Sequence, residues 1–302
     1  MKTIQWFPGH MTKARKNIIL LLKQTDIVLE LLDARAPLSS CNPLLQSLIM
    51  HKKKIKLLNK SDLADKSCTD RWLEYFNNES NSRAIVASMH NNKQKDQMIK
   101  LCKQLAPTKN SFEKPLRVMI IGIPNVGKST LINQLINKKS AKTGDIPAVT
   151  KANQCLTISD DFLVYDTPGM MWEKIEYNHI AYNLAICNSI GRNAYDTDLL
   201  AIYLLSYLKE HMTYKLLLSA RYKLTALDLT KQTNELLEII ARRRGCLLKN
   251  NILDLQKASE LIVQDFRDGN LGKISLETPE LWQQYIKIDA DIEKSEKFDE
   301  LI

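Results

Sequence analysis

Residues Gly122-Ile123-Pro124-Asn125-Val126-Gly127-Lys128-Ser129-Thr130 carry the pattern GxxxxGK[ST]. Each residue type has a task around a phosphate chain. The glycines let backbone N–H groups curl about phosphate oxygens, and a helix N-terminus adds its positive end. Lys128 can reach the β- and γ-phosphates, and the Ser129 hydroxyl suits Mg²⁺. Asn125, Val126, Gly127 and Thr130 complete the cradle. The plain alternative is a glycine-rich turn before a helix. The flanks favour the cradle, because Leu116 to Ile121 read as a buried strand and Leu131 to Lys139 as a helix.

A second set lies earlier in the chain. Asn59-Lys60-Ser61-Asp62 follows the apolar run Ile55-Lys56-Leu57-Leu58 and fits NKxD. The Asp62 carboxylate would accept from guanine N1–H and the N2 amino group, where adenine offers no matching donors. A site built for those donors rejects a base that lacks them. The stem of Lys60 can cover the base face, and Asn59 would brace the loop. Ala87 and Ser88 end the run Arg83-Ala84-Ile85-Val86 and stand where a short loop could contact the base through its backbone and a serine.

A third set lies after the phosphate loop. Thr143 to Thr150 contain glycine and proline and read as a mobile loop, with Thr150 placed for Mg²⁺ and the γ-phosphate. The run Phe162-Leu163-Val164-Tyr165 delivers Asp166-Thr167-Pro168-Gly169, which fits DxxG. Asp166 then serves the Mg²⁺ shell, and Gly169 senses the γ-phosphate.

These sets need a scaffold. The runs at 27–33, 55–58, 83–88, 116–121 and 162–165 predict strands. Helices are expected from after the Pro8-Gly9 turn to about Gln24, and near 43–50, 69–77, 93–105 and 131–139. From Tyr177 onward the chain reads as helical, over 177–190, 196–211, 230–244 and 254–268. Asp254 is a credible N-cap for the last, and Gly269 its stop.

Composition bounds the partners. The chain has 302 residues, 44% of them hydrophobic and 25% charged, which is ordinary for a soluble globular protein of about two domains. No apolar run approaches a membrane span. Six cysteines lie far apart without a CxxC pair, so a reducing cytoplasm is the simplest home. The net charge is +9, and residues 1–60 hold eleven Lys and Arg against three acids. A basic front of this size suggests a polyanion such as nucleic acid, the alternative being a solvated basic face. Arg242-Arg243-Arg244 and Lys249 could grip RNA phosphates, or simply complement a helix end. From Glu280 onward seven acids face three lysines, as in an acidic tail.

The order of the sets is unusual. A standard GTPase runs phosphate loop, switch threonine, DxxG, NKxD and then the serine loop. Here NKxD and the serine loop come first, as in a circular permutation. With that order, the chain resembles the circularly permuted GTPases of the ribosome biogenesis GTPase A (YlqF) family. The likeness extends to Trp6-Phe7-Pro8-Gly9-His10-Met11, Asp33-Ala34-Arg35 and Asp265-Phe266-Arg267-Asp268-Gly269-Asn270-Leu271-Gly272.

The resemblance implies an α/β fold: a circularly permuted Ras-like P-loop GTPase domain over residues 1–175, with a mostly parallel sheet and helices on both faces. A smaller all-α RNA- or ribosome-binding domain would follow over 176–302. It implies GTP hydrolysis with Mg²⁺ and late assembly of the large ribosomal subunit, with rRNA and ribosomal proteins as partners; a monomer is expected. Ala148 departs from the glycine expected in the switch. Met170 stands where Ras-like enzymes have a glutamine that orients water, and a thioether cannot do that. The resemblance implies His10 for that role, beside Lys128 and Thr150; a turn residue or an RNA contact is the equal alternative for His10. It also puts K⁺ at Asn125, whose other reading is a brace for the loop. Two function classes remain open: a GTP-driven assembly enzyme, or an rRNA-binding placeholder with slow, incidental hydrolysis. A P-loop kinase would leave Asn59 to Asp62 unexplained.

Overall fold

The computed structural model describes residue 4 and residues 11–87, 92–109, 111, 113–136 and 154–282. The chain opens with helix α1 (Met11–Leu22) and strand β1 (Ile27–Asp33), followed by α2 (Pro43–Ile49), β2 (Lys53–Asn59), α3 (Lys66–Asn77) and β3 (Ser82–Val86). Then come α4 (Asn92–Leu105), β4 (Leu116–Ile121), α5 (Lys128–Ile136), β5 (Gln154–Ser159) and β6 (Phe162–Asp166).

The six strands form one sheet in the order β3-β2-β1-β4-β6-β5. All neighbours pair parallel except β5, which lies antiparallel on β6 at the edge. β1 is buried along its whole length, as expected of a central parallel strand covered on both faces. The pleat sorts its side chains between the two faces. Ile27, Leu29 and Leu31 join Val118 and Ile120 of β4 against Met98 and Cys102 of α4 and Ile132 and Leu135 of α5. Val28, Met119, Ile121 and Tyr165 pack on the other face against Ile18 and Leu22 of α1 and Leu45 and Ile49 of α2. On that face too, Leu32, Leu58 and Ala84 meet Trp72 and Phe76 of α3. Helices therefore cover both faces of the sheet.

Helix starts follow local chemistry. Asn42 accepts from the N–H groups of Leu44 and Leu45, with Pro43 at the first helical position where its missing N–H costs nothing. Asp65 caps α3 through the Cys68 N–H.

After β6 the described chain is helical: α6 (Asn178–Ile186), α7 (Thr197–Glu210), α8 (Met212–Tyr222), α9 (Ala226–Thr230), α10 (Thr233–Arg243) and α11 (Leu255–Arg267). Asp254 caps α11 by accepting from the Lys257 N–H at 2.9 Å. Gly269, at φ +76°, follows the helix end, and its N–H returns to the Phe266 carbonyl. α6 is shorter than the expected 177–190. Asn188 turns left-handed at φ 65°, and the N–H groups of Asn188 and Ser189 close back on Ala185 and Leu184. Strand β5 and helices α8 and α9 were not expected from the sequence. Leu204 of α7, Ile240 of α10, and Ile262 and Phe266 of α11 belong to the same apolar cluster as one face of the sheet.

Residues 269–277, after α11, return to the carboxyl ends of β1 and β2, beside the Asn59–Asp62 loop. The Ile274 N–H donates to the Leu63 carbonyl at 3.1 Å, and the Leu276 N–H to the Arg35 carbonyl at 2.7 Å. Glu277 accepts from the backbone N–H groups of Leu38 (2.8 Å) and Ser39 (3.1 Å) and from the Asn183 side chain (3.1 Å). Burial pushes its carboxyl above the ordinary value despite these donors. Among the described residues no helix is long and apolar enough to cross a membrane.

Candidate functional site: a phosphate-binding loop at the carboxyl ends of the strands

Because β1, β2, β4 and β6 run parallel, their carboxyl ends open on one side of the sheet. That crevice is where open α/β sheets bind ligands. Four polar segments converge there: Asp33 to Arg35 from β1, Asn59 to Asp62 from β2, Gly122 to Thr130 from β4, and Asp166 to Gly169 from β6.

The phosphate loop is held from several directions. The Asn59 Nδ2 reaches it from β2 and donates to the Val126 carbonyl at 2.6 Å. Asn125 stands left-handed at φ 57°, and its Nδ2 donates to the Asn188 carbonyl beyond α6 at 2.8 Å. Gly127 has φ 99°, which side chains rarely adopt. A Cβ on Gly122 would lie 2.7 Å from the Leu31 carbonyl oxygen, so only glycine lets the loop leave β4 beside β1.

Lys128 opens α5 and is buried. Its Nζ donates to the carbonyls of Gly122 (3.1 Å) and Ile123 (2.7 Å), so the ammonium is folded back over its own loop. Burial lowers its pKa to about 8, against the pull of Asp166. Asp166 shows the converse shift. Burial raises it to about 6, opposed first by Lys128 and then by the Thr167 N–H. The Thr167 hydroxyl donates to the Ile120 carbonyl at 2.7 Å and fixes this turn against β4. The Asp166 Oδ1 is buried and lacks a hydrogen-bond partner among the described residues. A buried oxygen anion facing a phosphate loop is the donor that a hard, oxygen-seeking cation requires. The residues therefore fit Mg²⁺, with Ser129 one residue beyond Lys128 at the start of α5.

Gly169 presses on the phosphate loop. A Cβ there would lie 2.8 Å from both the N and Cα of Pro124, and 3.1 Å from the Lys128 Nζ. The next residue turns away. Met170 is buried with Ile18, Leu22 and Leu45 beneath α1 and α2. Its N–H donates to the Gly122 carbonyl at 3.2 Å, and its carbonyl accepts from the Asn42 Nδ2 at 2.7 Å. Met171 follows, and its N–H donates to the Met11 Sδ at 3.3 Å, which ties the start of α1 to this segment.

On the β2 side, Asp62 is exposed and Lys60 half-buried. Ser61 packs on the following strand end, its N–H and hydroxyl both donating to the Ala87 carbonyl, at 3.3 and 3.0 Å. Lys60, at φ 58°, directs its Nζ to the Asp33 Oδ2 at 2.9 Å. Asp33 is also gripped by the Arg35 fork, with Nε–Oδ1 at 2.9 Å and Nη2–Oδ2 at 2.8 Å. Burial alone would raise the Asp33 carboxyl; Arg35 first and Lys60 second overrule it and hold the group well below the usual carboxylate range.

The structure thus brings Asn59, Lys60, Ser61, Asp62, Ala87, Asn125, Val126, Gly127, Lys128, Ser129, Thr130, Asp166 and Gly169 to one side of the sheet. His10, Ser88 and Thr150 lie outside the described residues. Sequence reasoning assigned no task to Thr167, whose signal was its place between Asp166 and Gly169. It also assigned none to Asp33 and Arg35, whose signal was a charged pair ending a buried strand.

The comparisons agree with this geometry. The 50S ribosome-binding GTPase family model matches residues 117–246, and the RsgA GTPase model matches residues 12–176. Ribosome biogenesis GTPase A from Bacillus cereus is 39% identical over 303 residues, covering 97% of this chain and 99% of the relative. Its namesake from Priestia megaterium is 40% identical over 285 residues, covering 92% and 97%. The GNP-bound crystal structure of YlqF from T. maritima superposes with a TM-score of 0.65 at 26% identity, over 89% of this chain and 99% of that one. The fold is that of a circularly permuted P-loop GTPase, and the chain belongs to the ribosome biogenesis GTPase A family.

Proposed function

We propose that this chain is a GTP-hydrolysing assembly factor for the large ribosomal subunit, docking on the precursor particle with GTP bound and leaving after hydrolysis. The observation that carries the reading is the junction at the phosphate loop. Asn125 of that loop is bonded to the end of α6, and the segment after Gly169 is bonded to the start of α1. A change at the γ-phosphate thereby has two short routes to surfaces outside the nucleotide crevice. The basic residues 1–60 supply the attraction to rRNA.

In this reading residues 1–175 act as the nucleotide unit and 176–302 as the ribosome-facing helical unit, in a cytoplasmic monomer. Asp62 reads guanine, with Asn59, Lys60, Ser61, Ala87 and Ser88 shaping the base pocket. Residues Asn125 to Thr130 and Gly169 hold the phosphates. Ser129, Asp166 and Thr150 hold Mg²⁺, which when bound neutralises charge on the β- and γ-phosphates. Lys128 exchanges its two carbonyl partners for phosphate oxygens. Asn125 would hold K⁺, which would supply positive charge near the developing β–γ charge.

Met170 cannot orient water and is buried besides. His10 takes that role, brought in by the ribosomal particle; it directly precedes Met11, which contacts Met171. His10→Ala should leave GTP binding nearly unchanged and cut subunit-stimulated turnover by roughly 10²-fold or more. The reading as a whole is tested by co-sedimentation with large subunits under GTP, GDP and a non-hydrolysable analogue. Binding that favours GTP and the analogue over GDP supports it. Equal binding in all three states favours an rRNA-binding placeholder with incidental hydrolysis.

A further inference from the structure

The Asp33–Arg35 pair at the end of β1 has no place in the phosphate or base motifs, yet among the described residues it is one of the most buried ionic groups, at 1% and 2% exposure. A surface pair of this kind would carry little meaning, but a buried one invites a reason, because hydrophobic residues of the same volume often stabilise as well. Its third member supplies the reason. Asp33 lies opposite Asn59 in the β1–β2 register, so its carboxylate sits beside the residue that follows, Lys60. The Asp33 Oδ2 accepts from the Lys60 Nζ at 2.9 Å. Asp33 itself cannot swing, because the Arg35 fork and the Arg35 N–H (3.1 Å) hold both carboxylate oxygens.

Arg35 is in turn fixed from the far end of the chain. Its guanidinium lies 5.0 Å from the centroid of the Phe266 ring, its Nη1 donates to the Arg267 carbonyl at 3.4 Å, and its own carbonyl accepts from the Leu276 N–H at 2.7 Å. One chain of contacts therefore runs from α11 through Arg35 and Asp33 to Lys60.

We propose that Asp33 and Arg35 are positioning residues of the guanine site: Asp33 anchors the Lys60 ammonium so that the lysine stem is held along the purine face, and Arg35 locks Asp33 to α11. This rests on the reading of Lys60 and Asp62 as base-binding residues. A long lysine stem loses rotamer freedom when it closes on a ligand. An anchor at its tip means that most of that loss is already met in the free protein, which is how preorganisation raises affinity. The same chain of contacts makes the base pocket sensitive to how α11 sits on the sheet.

The test is a double-mutant cycle read by equilibrium binding of fluorescent GDP to the full chain, with Asp33→Asn, Lys60→Met and the pair together. Wild-type binding of GDP but not ADP is the control for the underlying reading; if it fails, that reading falls, whatever the variants do. Given that control, Asp33→Asn should weaken GDP about tenfold to a hundredfold, the range for a lost hydrogen bond to a charged group. Lys60→Met should weaken it similarly, and the double variant no more than the weaker single one, because Asp33 acts through Lys60. A merely structural pair would lower the melting temperature but leave GDP affinity unchanged, or give losses that multiply in the double variant. Either result overturns the proposal. If Asp33→Asn does not fold, Asp33→Glu, which keeps the charge and moves the anchor by one methylene, takes its place in the cycle under the same criteria.

Discussion

The side chain of Asn125, inside the phosphate loop, donates through Nδ2 to the main-chain carbonyl of Asn188, just past α6, at 2.8 Å. Both residues are left-handed, at φ 57° and 65°. The bond joins the nucleotide loop to the helices that follow the sheet. It also fixes the amide orientation, since the Nδ2 is committed to Asn188 and Oδ1 is the atom of the amide that the proposed K⁺ would need. GTP turnover should therefore be faster in K⁺ than in Na⁺ buffer, and Asn125→Ala should remove the difference. Asn188→Gly should keep it, because the acceptor is a backbone carbonyl and glycine tolerates that φ. Steady-state turnover in matched K⁺ and Na⁺ buffers checks this; equal rates for the wild type would remove K⁺ from the account.

Base choice should rest on Asp62, exposed at the mouth of the crevice. Asp62→Asn should weaken GTP binding and shift preference toward xanthosine triphosphate, whose base presents a carbonyl where guanine presents an amine. Competition binding with the two nucleotides decides the matter. An Asp62→Asn variant that binds GTP as the wild type does would mean that the base is read elsewhere.

Nucleotide binding should have a pH window set by Lys128 and Asp166. In the free protein Asp166 titrates at about 6, raised by burial, and Lys128 at about 8, lowered by burial. Mg²⁺ requires the carboxylate, so binding releases a proton from Asp166 below about pH 6 and affinity falls as pH drops through that value. Phosphate requires the ammonium, so binding takes up a proton on Lys128 above about pH 8 and affinity falls as pH rises through that value. Isothermal titration of Mg²⁺–GTP in buffers of different ionisation enthalpy should show the sign of proton exchange reversing between the two limbs. The same sign on both would contradict the assignment.

Gly169 should tolerate no side chain. An alanine Cβ would stand 2.8 Å from the Pro124 backbone, which cannot retreat as a flexible side-chain tip could. Gly169→Ala should destabilise the free protein by about 1–3 kcal/mol, as overpacking does, and should weaken GTP more than GDP. Thermal melts and binding of both nucleotides measure this. Undiminished GTP affinity with an unchanged melt would show that the DxxG turn and the phosphate loop are not in contact.

Much of the frame was legible in the sequence because it is local. β1 and β4 are continuous apolar runs ending in chemistry, and such runs read as buried parallel strands. β5 was missed: Gln154-Cys155-Leu156-Thr157-Ile158-Ser159 is an edge strand with a weak apolar signal. α8 was missed for another reason. It begins at Met212, directly after α7, with no glycine or proline to mark the break, and His211 serves as both the end of one helix and the cap of the next. The helix expected over 177–190 stops at Ile186 because Asn188, rather than a glycine, takes the left-handed turn. At the site, motif residues could be read from spacing, but Glu277 meeting Leu38 and Arg35 meeting Arg267 join positions more than 200 residues apart, and nothing local announces them.

The proposed activity is GTP hydrolysis stimulated by the large ribosomal subunit. Single-turnover GTP hydrolysis by the purified chain, with and without large ribosomal subunits and with ATP as the control, tests it most directly. The expected result is slow intrinsic hydrolysis of GTP, clear acceleration by large subunits and no turnover of ATP. GTP hydrolysis that large subunits leave unchanged, or ATP turned over equally well, would contradict it.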